Sequence, residues 1–298
     1  MEKVIKILTE EGPLTGKELA ENSGLDEFEL WRYCYTCDEI ITKTIGEKYL
    51  RLDEEIEGYA RLSPSIKREF YGYTIVGLEQ DLDQINLKAK LLLREIKDIS
   101  RRKFLLAKDI VNRIVQAYDD AELLKTKTCF IIAGDVAYDM AHLDLRPESS
   151  TGELVRGSDL DIVVATNGLP PQVENWLDAT IYEEKNHLLK NPSYKEEIDY
   201  VIKDIDVIQS QLRFDNFHNM VASKILYEGK FLYGNHDIFL EIGKMLRTAN
   251  ISEKLRLLEE QARKDRERSI AHLLKVGALT TEHDRKLFYT KEEKEEFI

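Results

Sequence analysis

Cysteine, proline, long apolar runs and positive charge are all scarce in this chain, and each scarcity excludes a class of protein. Three cysteines in 298 residues argue against a disulfide framework, because such frameworks pair an even number of thiols in small secreted domains. No stretch approaches the roughly 20 consecutive apolar residues that span a bilayer. The opening residues 1–11 mix charged and apolar side chains without a signal-peptide pattern. A reduced, cytoplasmic protein with no membrane partner is the expectation. Six prolines and 15 glycines beside 43% apolar residues, with no repeat and no low-complexity tract, describe a chain that folds throughout. Against 56 Asp and Glu there are 43 Lys and Arg, a net charge of −13. Non-specific grip on nucleic acid is mostly phosphate neutralisation, so a whole-surface hold on DNA is disfavoured. One stretch reverses the sign: Lys88, Lys90, Arg94, Lys97, Arg101, Arg102, Lys103 and Lys108 against Glu95 and Asp98. Its simplest reading is the solvated face of a helix.

The length allows two or three units, since domains usually run about 100–150 residues. Residues 1–55 read as a winged-helix-like domain. Val4, Ile5 and Leu8 lie at helical spacing, Gly12 and Pro13 interrupt, Thr15 caps a second helix that ends near Gly24, and a third helix follows Asp26. Ile40 to Leu52 alternates around Gly46 and Glu47 as a two-stranded wing would. The third helix opens with Asp26, Glu27, Phe28 and Glu29, acidic where a DNA-reading helix is basic, so this module is expected to contact protein or its own chain. Cys34 and Cys37 form a lone Cys-x-x-Cys with no second pair to complete a zinc site. Residues 56–126 read as a helical connector, with Leu92, Ile96, Ile99, Leu106, Ile110 and Ile114 on one stripe. Residues 127–249 mix strand and helix patterns, and residues 250–298 form a C-terminal helical segment.

The chemistry is concentrated in the third of these regions. Thr128 to Ala133 is a buried-strand pattern that runs into Gly134 and Asp135. A second strand follows with Gly157, Ser158, Asp159, Leu160, Asp161 and Ile162. Alternation puts Asp159 and Asp161 on one side while Leu160 and Ile162 face the core. Two adjacent carboxylates are costly without a cation between them, and oxygen-only ligands suit Mg2+ or Mn2+.

Gly134, then Gly152 and Glu153, then Ser158, Asp159 and Asp161 together resemble the nucleotidyltransferase superfamily of DNA polymerase β-like and minimal nucleotidyltransferases. The likeness extends through Lys224 to Tyr233, which resembles the helix and turn that close minimal members, and covers roughly residues 128–235. It implies an α+β class, a mixed sheet with helices preceded by the winged helix and the connector. It also implies an enzyme that moves a nucleoside monophosphate from an NTP to a hydroxyl of an RNA or protein acceptor. Asp159, Asp161 and a third acid on a later strand would be catalytic and hold the metal; Asp206 is preferred for that third place and Asp199 is its rival. Gly134, Asp135, Ser158 and Lys224 would hold the nucleotide. Asp135 stands where the superfamily has a serine, and residues near 141–151 look inserted.

Two other classes of function compete. The same fold with a repulsive Asp135 describes a catalytically weak, nucleotide-binding regulator whose winged helix docks a partner. Arg266 and His272 also carry the short Arg-x(4–6)-His spacing of some helical ribonucleases, a pattern common by chance in charged helices.

Overall fold

The computed structural model describes residues 2–148 and 151–290. The architecture is α+β, with helices, one four-stranded sheet and three smaller ones among the described residues. The chain divides into two compact units, one made of Met1–Glu95 with Leu258–Ile298 and the other of Ile96–Leu257.

The first unit begins with α1 (Glu2–Glu11), β1 (Leu14–Thr15), α2 (Gly16–Ser23) and α3 (Glu27–Thr36). Local chemistry sets these boundaries. Thr15 and Glu18 exchange side-chain hydrogen bonds with each other's backbone N–H at 2.7 and 3.1 Å, a capping box at the start of α2. Gly24 closes α2 with a left-handed φ of 62°, and the Asp26 carboxylate caps α3. Next come β2 (Ile40–Thr44), β3 (Tyr49–Leu52), β4 (Ala60–Ser63), α4 (Ile66–Tyr73) and β5 (Thr74–Leu78). The two-stranded wing expected over residues 40–52 does not form. β2 pairs instead with β5, and β3 pairs with β4. The reason is β5, whose five residues are all buried and which takes the central place between β1 and β2. A strand apolar on both faces outcompetes a half-polar neighbour for that position.

Helix α5 (Leu82–Ala117) runs 36 residues without a break, so the connector expected at 56–126 is not a unit of its own. Its buried stripe holds Ile96, Ile99, Ile110 and Ile114 as the spacing predicts. The second unit continues with α6 (Ala121–Lys127), β6 (Thr128–Ile132), α7 (Gly134–Ala137), β7 (Leu145–Pro147), β8 (Leu154–Arg156) and β9 (Leu160–Thr166). It goes on through α8 (Pro171–Lys190), β10 (Ile198–Asp204), α9 (Ile205–Gln211), α10 (Phe217–Glu228), β11 (Lys230–Gly234) and α11 (His236–Thr248). The main sheet has the order β10-β9-β6-β11, with β9 and β10 parallel and the other two pairings antiparallel. Phe130, Ile132, Leu160, Ile162 and Val164 bury one side of it with Leu177, Ile181 and Leu188 of α8 and with Ile110 and Ile114.

Helix α12 (Ile251–Leu273) ends in the first unit, which α13 (Glu282–Phe288) completes. Residues 291–298 of the expected C-terminal segment lie outside the described residues. Arg266 donates to the Pro64 carbonyl at 2.6 Å and pairs with buried Glu69 at 3.4 Å, while His272 Nε2 lies 2.7 Å from Asp284. Both members of the Arg-x(4–6)-His spacing are thus engaged in joining neighbouring segments, which accounts for them without ribonuclease chemistry. No helix is long and apolar enough to cross a membrane among the described residues.

Phe288 of α13 is 1% exposed and packs edge-on to Phe28 at 5.3 Å and against Trp31 at 5.5 Å. Phe288→Ala is expected to destabilise the first unit by about 3–5 kcal/mol, read as a lower midpoint in urea for the tryptophan-monitored transition, Trp31 being part of this cluster. A change below about 1 kcal/mol would show that α13 does not complete this core.

Candidate functional site

Strand β6 is buried along its whole length, and at its end the backbone turns through Ala133 into Gly134, whose φ is +62°. Glycine is required there on two grounds. The left-handed angle strains any L side chain, and a Cβ would sit 2.0 Å from Asp161 Oδ2. The same close approach ties the two segments together, since Ala133 N–H donates to the Asp161 carbonyl at 2.9 Å. Gly134 N–H faces Glu228 Oε1 at 3.3 Å, and Tyr138 donates its hydroxyl to Glu228 Oε2 at 2.7 Å. Lys224, one helical turn before Glu228 on α10, closes a short ion pair with it and lies over the Tyr138 ring at 5.6 Å. Glycine, lysine, tyrosine and glutamate therefore form one connected group at the mouth of the Gly134 turn.

Asp161 lies on β9, and the parallel register sets Asp199 of β10 directly opposite it. Burial, followed by the charges of Asp135, Asp199 and Glu228, pushes the Asp161 carboxyl up from the ordinary range to about 7, against the opposing pull of Lys224. Asp135 accepts a hydrogen bond from Ser158 Oγ at 2.7 Å, and Ser158 Oγ in turn accepts from His142 N–H at 3.3 Å. Asp159 is turned to a different partner, the guanidinium of Arg146, which also holds Glu197 at 2.9 Å and donates from Nε to the Gly157 carbonyl at 3.0 Å. No group of three or more His, Cys, Asp or Glu side chains arranged to hold a metal ion occurs among the described residues. With Asp159 engaged by Arg146, the acids next to Asp161 are Asp135, Asp199 and Glu228. No family model, curated protein or solved structure matches this chain.

Of the expected site residues, Gly134, Asp135, Ser158, Asp161 and Lys224 come together, with Asp159 alongside. Asp206 does not. It is exposed in the first turn of α9, where its N–H donates to the capping Asp204 at 3.0 Å. Asp206, expected to begin a strand, lies in the first turn of a helix, and of residues 194–203, whose periodicity reads as helical, 198–203 fall in β10. Because Asp199 is seven residues earlier, at the other end of β10, Asp206 lies on the order of 20 Å from the Asp161 end of the sheet. Its rival Asp199 is the acid that the register sets opposite Asp161. The period-two pattern Ile198, Tyr200, Ile202 was the signal for it, blurred because only the first of these is fully buried on an edge strand. Glu228, Tyr138, Glu197 and Arg146 were not foreseen as site residues. Glu228 was traceable as the i+4 partner of Lys224; Arg146 had no signal, because it lies in the stretch that reads as an insertion.

The raised Asp161 pKa has a definite sign for stability. Its folded value near 7 exceeds the unfolded value near 4. Native protein thus holds a proton that the unfolded chain releases between those limits, and stability falls as pH rises through that window and levels off above it. Asp161→Asn removes the charge and keeps the shape. In EDTA its stability should match wild type near pH 4 and exceed it by about 2–4 kcal/mol at pH 8, the full shift being discounted for partial solvent access. Urea midpoints at both pH values test this, and a wild type that is no less stable than the variant at pH 8 would contradict it.

Proposed function

We propose that the second unit is a metal-dependent nucleotidyltransferase that moves a nucleoside monophosphate from an NTP to a hydroxyl of an RNA or protein acceptor, releasing pyrophosphate. The observation that carries this reading is the register of Asp199 against Asp161 beside a glycine turn that only glycine can make, in the pattern that resembles the DNA polymerase β-like superfamily. By donor type alone Mg2+ or Mn2+ would suit these acids, although the described residues form no group of three arranged to hold an ion. The acids offer oxygen alone, the Asp161 carboxyl sits in the net negative field of Asp135, Asp199 and Glu228, and at Asp159 a guanidinium already stands as counter-cation. When bound, such ions neutralise phosphate charge and make an acceptor hydroxyl easier to deprotonate.

The chain's own residues have separable duties in this reading. Asp159, Asp161 and Asp199 hold the ions. Gly134 lets phosphate approach the backbone without a side chain in the way, and Lys224 offsets negative charge from α10. Ser158 fixes Asp135 so that its carboxylate stays on the strand side of the turn.

Asp135 and Glu228 favour a second reading. A carboxylate at the phosphate-holding position repels an NTP, and Glu228 already occupies the Gly134 N–H. A nucleotide-binding regulator with little turnover would tolerate both, its first unit serving to dock a partner.

Pyrophosphate release measured with each of the four NTPs, Mg2+ or Mn2+, and RNA or protein acceptors separates the two. Transferase activity should fall at least about 100-fold in Asp161→Asn and Asp199→Asn and stay within about twofold in Asp206→Asn. Nucleotide binding without release under any of these conditions supports the regulator. Loss of activity in Asp206→Asn equal to that in Asp199→Asn would refute the assignment of the third acid.

A further inference from the structure

We propose that an exposed cationic row on α5 is a docking surface for single-stranded RNA, which it holds by its phosphates beside the Asp161 end of the main sheet. The inference deepens the transferase reading and rests on it for one step: the row grips phosphate, and the acceptor hydroxyl of that reading is what makes the polynucleotide RNA.

Lys97, Arg101 and Lys108 recur along α5 at intervals of four and seven residues, and Lys90 and Arg94 precede them at the same period. At 3.6 residues per turn these five side chains leave the helix within about 60° of one another and extend along it for about 27 Å. All five are exposed, and among the described residues none of them has an ion pair or a side-chain hydrogen bond. Other cations of the helix are engaged: Lys88 meets Glu18 at 2.6 Å, Lys103 meets Glu196 at 2.5 Å, and Arg113 meets Glu184 at 2.8 Å. From Lys90 to Lys108 no acid enters the arc of the row, because Glu95 and Asp98 fall outside it. Like charges three and four residues apart weaken a helix, so the row opposes the fold that carries it until a counter-charged ligand lies along it.

Uniform positive charge selects the occupant. A protein partner needs an apolar centre with its charges at the rim, whereas here cations run the length of the row. The exposed Leu91 and Leu105 lie on the side of the helix that holds Asp98 and Asp109. A polynucleotide is negative at every residue and matches the row from end to end. The chain as a whole carries −13, which makes the row an attractive stripe on a repulsive surface. The stripe also passes the candidate site. Ser100, next to Arg101, accepts from the Ala141 N–H at 3.0 Å; the His142 N–H reaches Ser158 Oγ at 3.3 Å, and Ser158 holds Asp135 at 2.7 Å. A strand held at Lys97 and Arg101 is thereby brought to the end of the sheet that carries Asp135 and Asp161.

The test is the fluorescence anisotropy of a labelled RNA of about 20 nucleotides and mixed sequence, measured with the full chain in EDTA and without nucleotide, from about 50 to 200 mM KCl. One variant joins Lys97→Gln, Arg101→Gln and Lys108→Gln. A control joins Lys190→Gln, Lys244→Gln and Arg247→Gln, exposed positions of α8 and α11 that lose the same charge; both are checked for native circular dichroism. The row variant should bind at least about tenfold more weakly at the lowest salt. Its slope of log K against log salt should be shallower by about 2, since each phosphate contact of a single strand contributes about 0.7. The control should stay within about twofold at an unchanged slope. Equal loss in both variants, or no binding by wild type, overturns the proposal. So does poly-L-glutamate that displaces the RNA as well as unlabelled RNA does, which would mark a protein-binding face. Each of these failures leaves the transferase reading standing with a protein acceptor. Where RNA binds as expected, pyrophosphate release with RNA as acceptor should show KM about tenfold higher in the row variant and kcat within about twofold. Absence of release with every acceptor would refute the transferase and leave the RNA-binding surface in place.

Discussion

Repulsion between carboxylates held on neighbouring strands is the constraint around which the second unit is arranged. Register-paired residues of parallel strands lie about 5 Å apart, and two like charges at that distance cost on the order of 3 kcal/mol at an effective dielectric near 20. Asp161 and Asp199 are in that relation, and Asp135 and Glu228 add to the field at Asp161. The neighbouring residues answer this charge in three ways. Asp161 shifts toward its neutral form, Lys224 pairs with Glu228, and Arg146 takes Asp159 with Glu197. Each answer is local.

Such a concentration of charge needs a rigid mount. Strand β6 is buried along its whole length, and Leu160 and Ile162 lock β9 from below. The entry to β10 is held by a buried ion pair: Lys103 of α5 meets Glu196 at 2.5 Å and also donates to the Arg156 carbonyl at 2.9 Å. Burial lowers the Lys103 pKa and raises that of Glu196, and each opposes the shift in the other. A buried pair of this sort adds little net stability, because desolvation offsets attraction, yet removing either partner strands a charge. Its contribution is placement. It fixes residue 196, hence the register in which Asp199 meets Asp161 three residues later.

What could be read from the amino-acid order divides along physical lines. Caps and buried strands were legible because their signals are local. Thr15 with Glu18, Asp26 before α3, the apolar run of β6 and the Asp-x-Asp of β9 all declare themselves within a few residues. Partner choice between strands was not, since it depends on competition across the chain. β5, more than twenty residues beyond Gly46, displaced the wing that residues 40–52 would form alone. The exchange of strand and helix around residue 204 has the same origin. β10 is an edge strand with one open side, so its inward set is only partly buried and its period is blurred. Ile205 and Ile208, both buried at helical spacing, looked like strand residues only because the acid between them was sought on a strand.

Asp135 shows how an acidic side chain at a tight turn is accommodated in physical terms. Its carboxylate is not left to repel a ligand unmodulated, because Ser158 donates to it and the chain at His142 supports Ser158. A hydrogen bond to an ionised acceptor is worth roughly twice a neutral one, but it leaves the net charge in place. The charge must be met by cations, and those described around it come from separate parts of the unit's sequence: Lys103 on α5, Arg146 on the β7–β8 hairpin and Lys224 on α10. The negative charge at the turn is tolerable because positive charge stands within its electrostatic reach, Lys103 acting with Asp135 and Lys224 with Asp161.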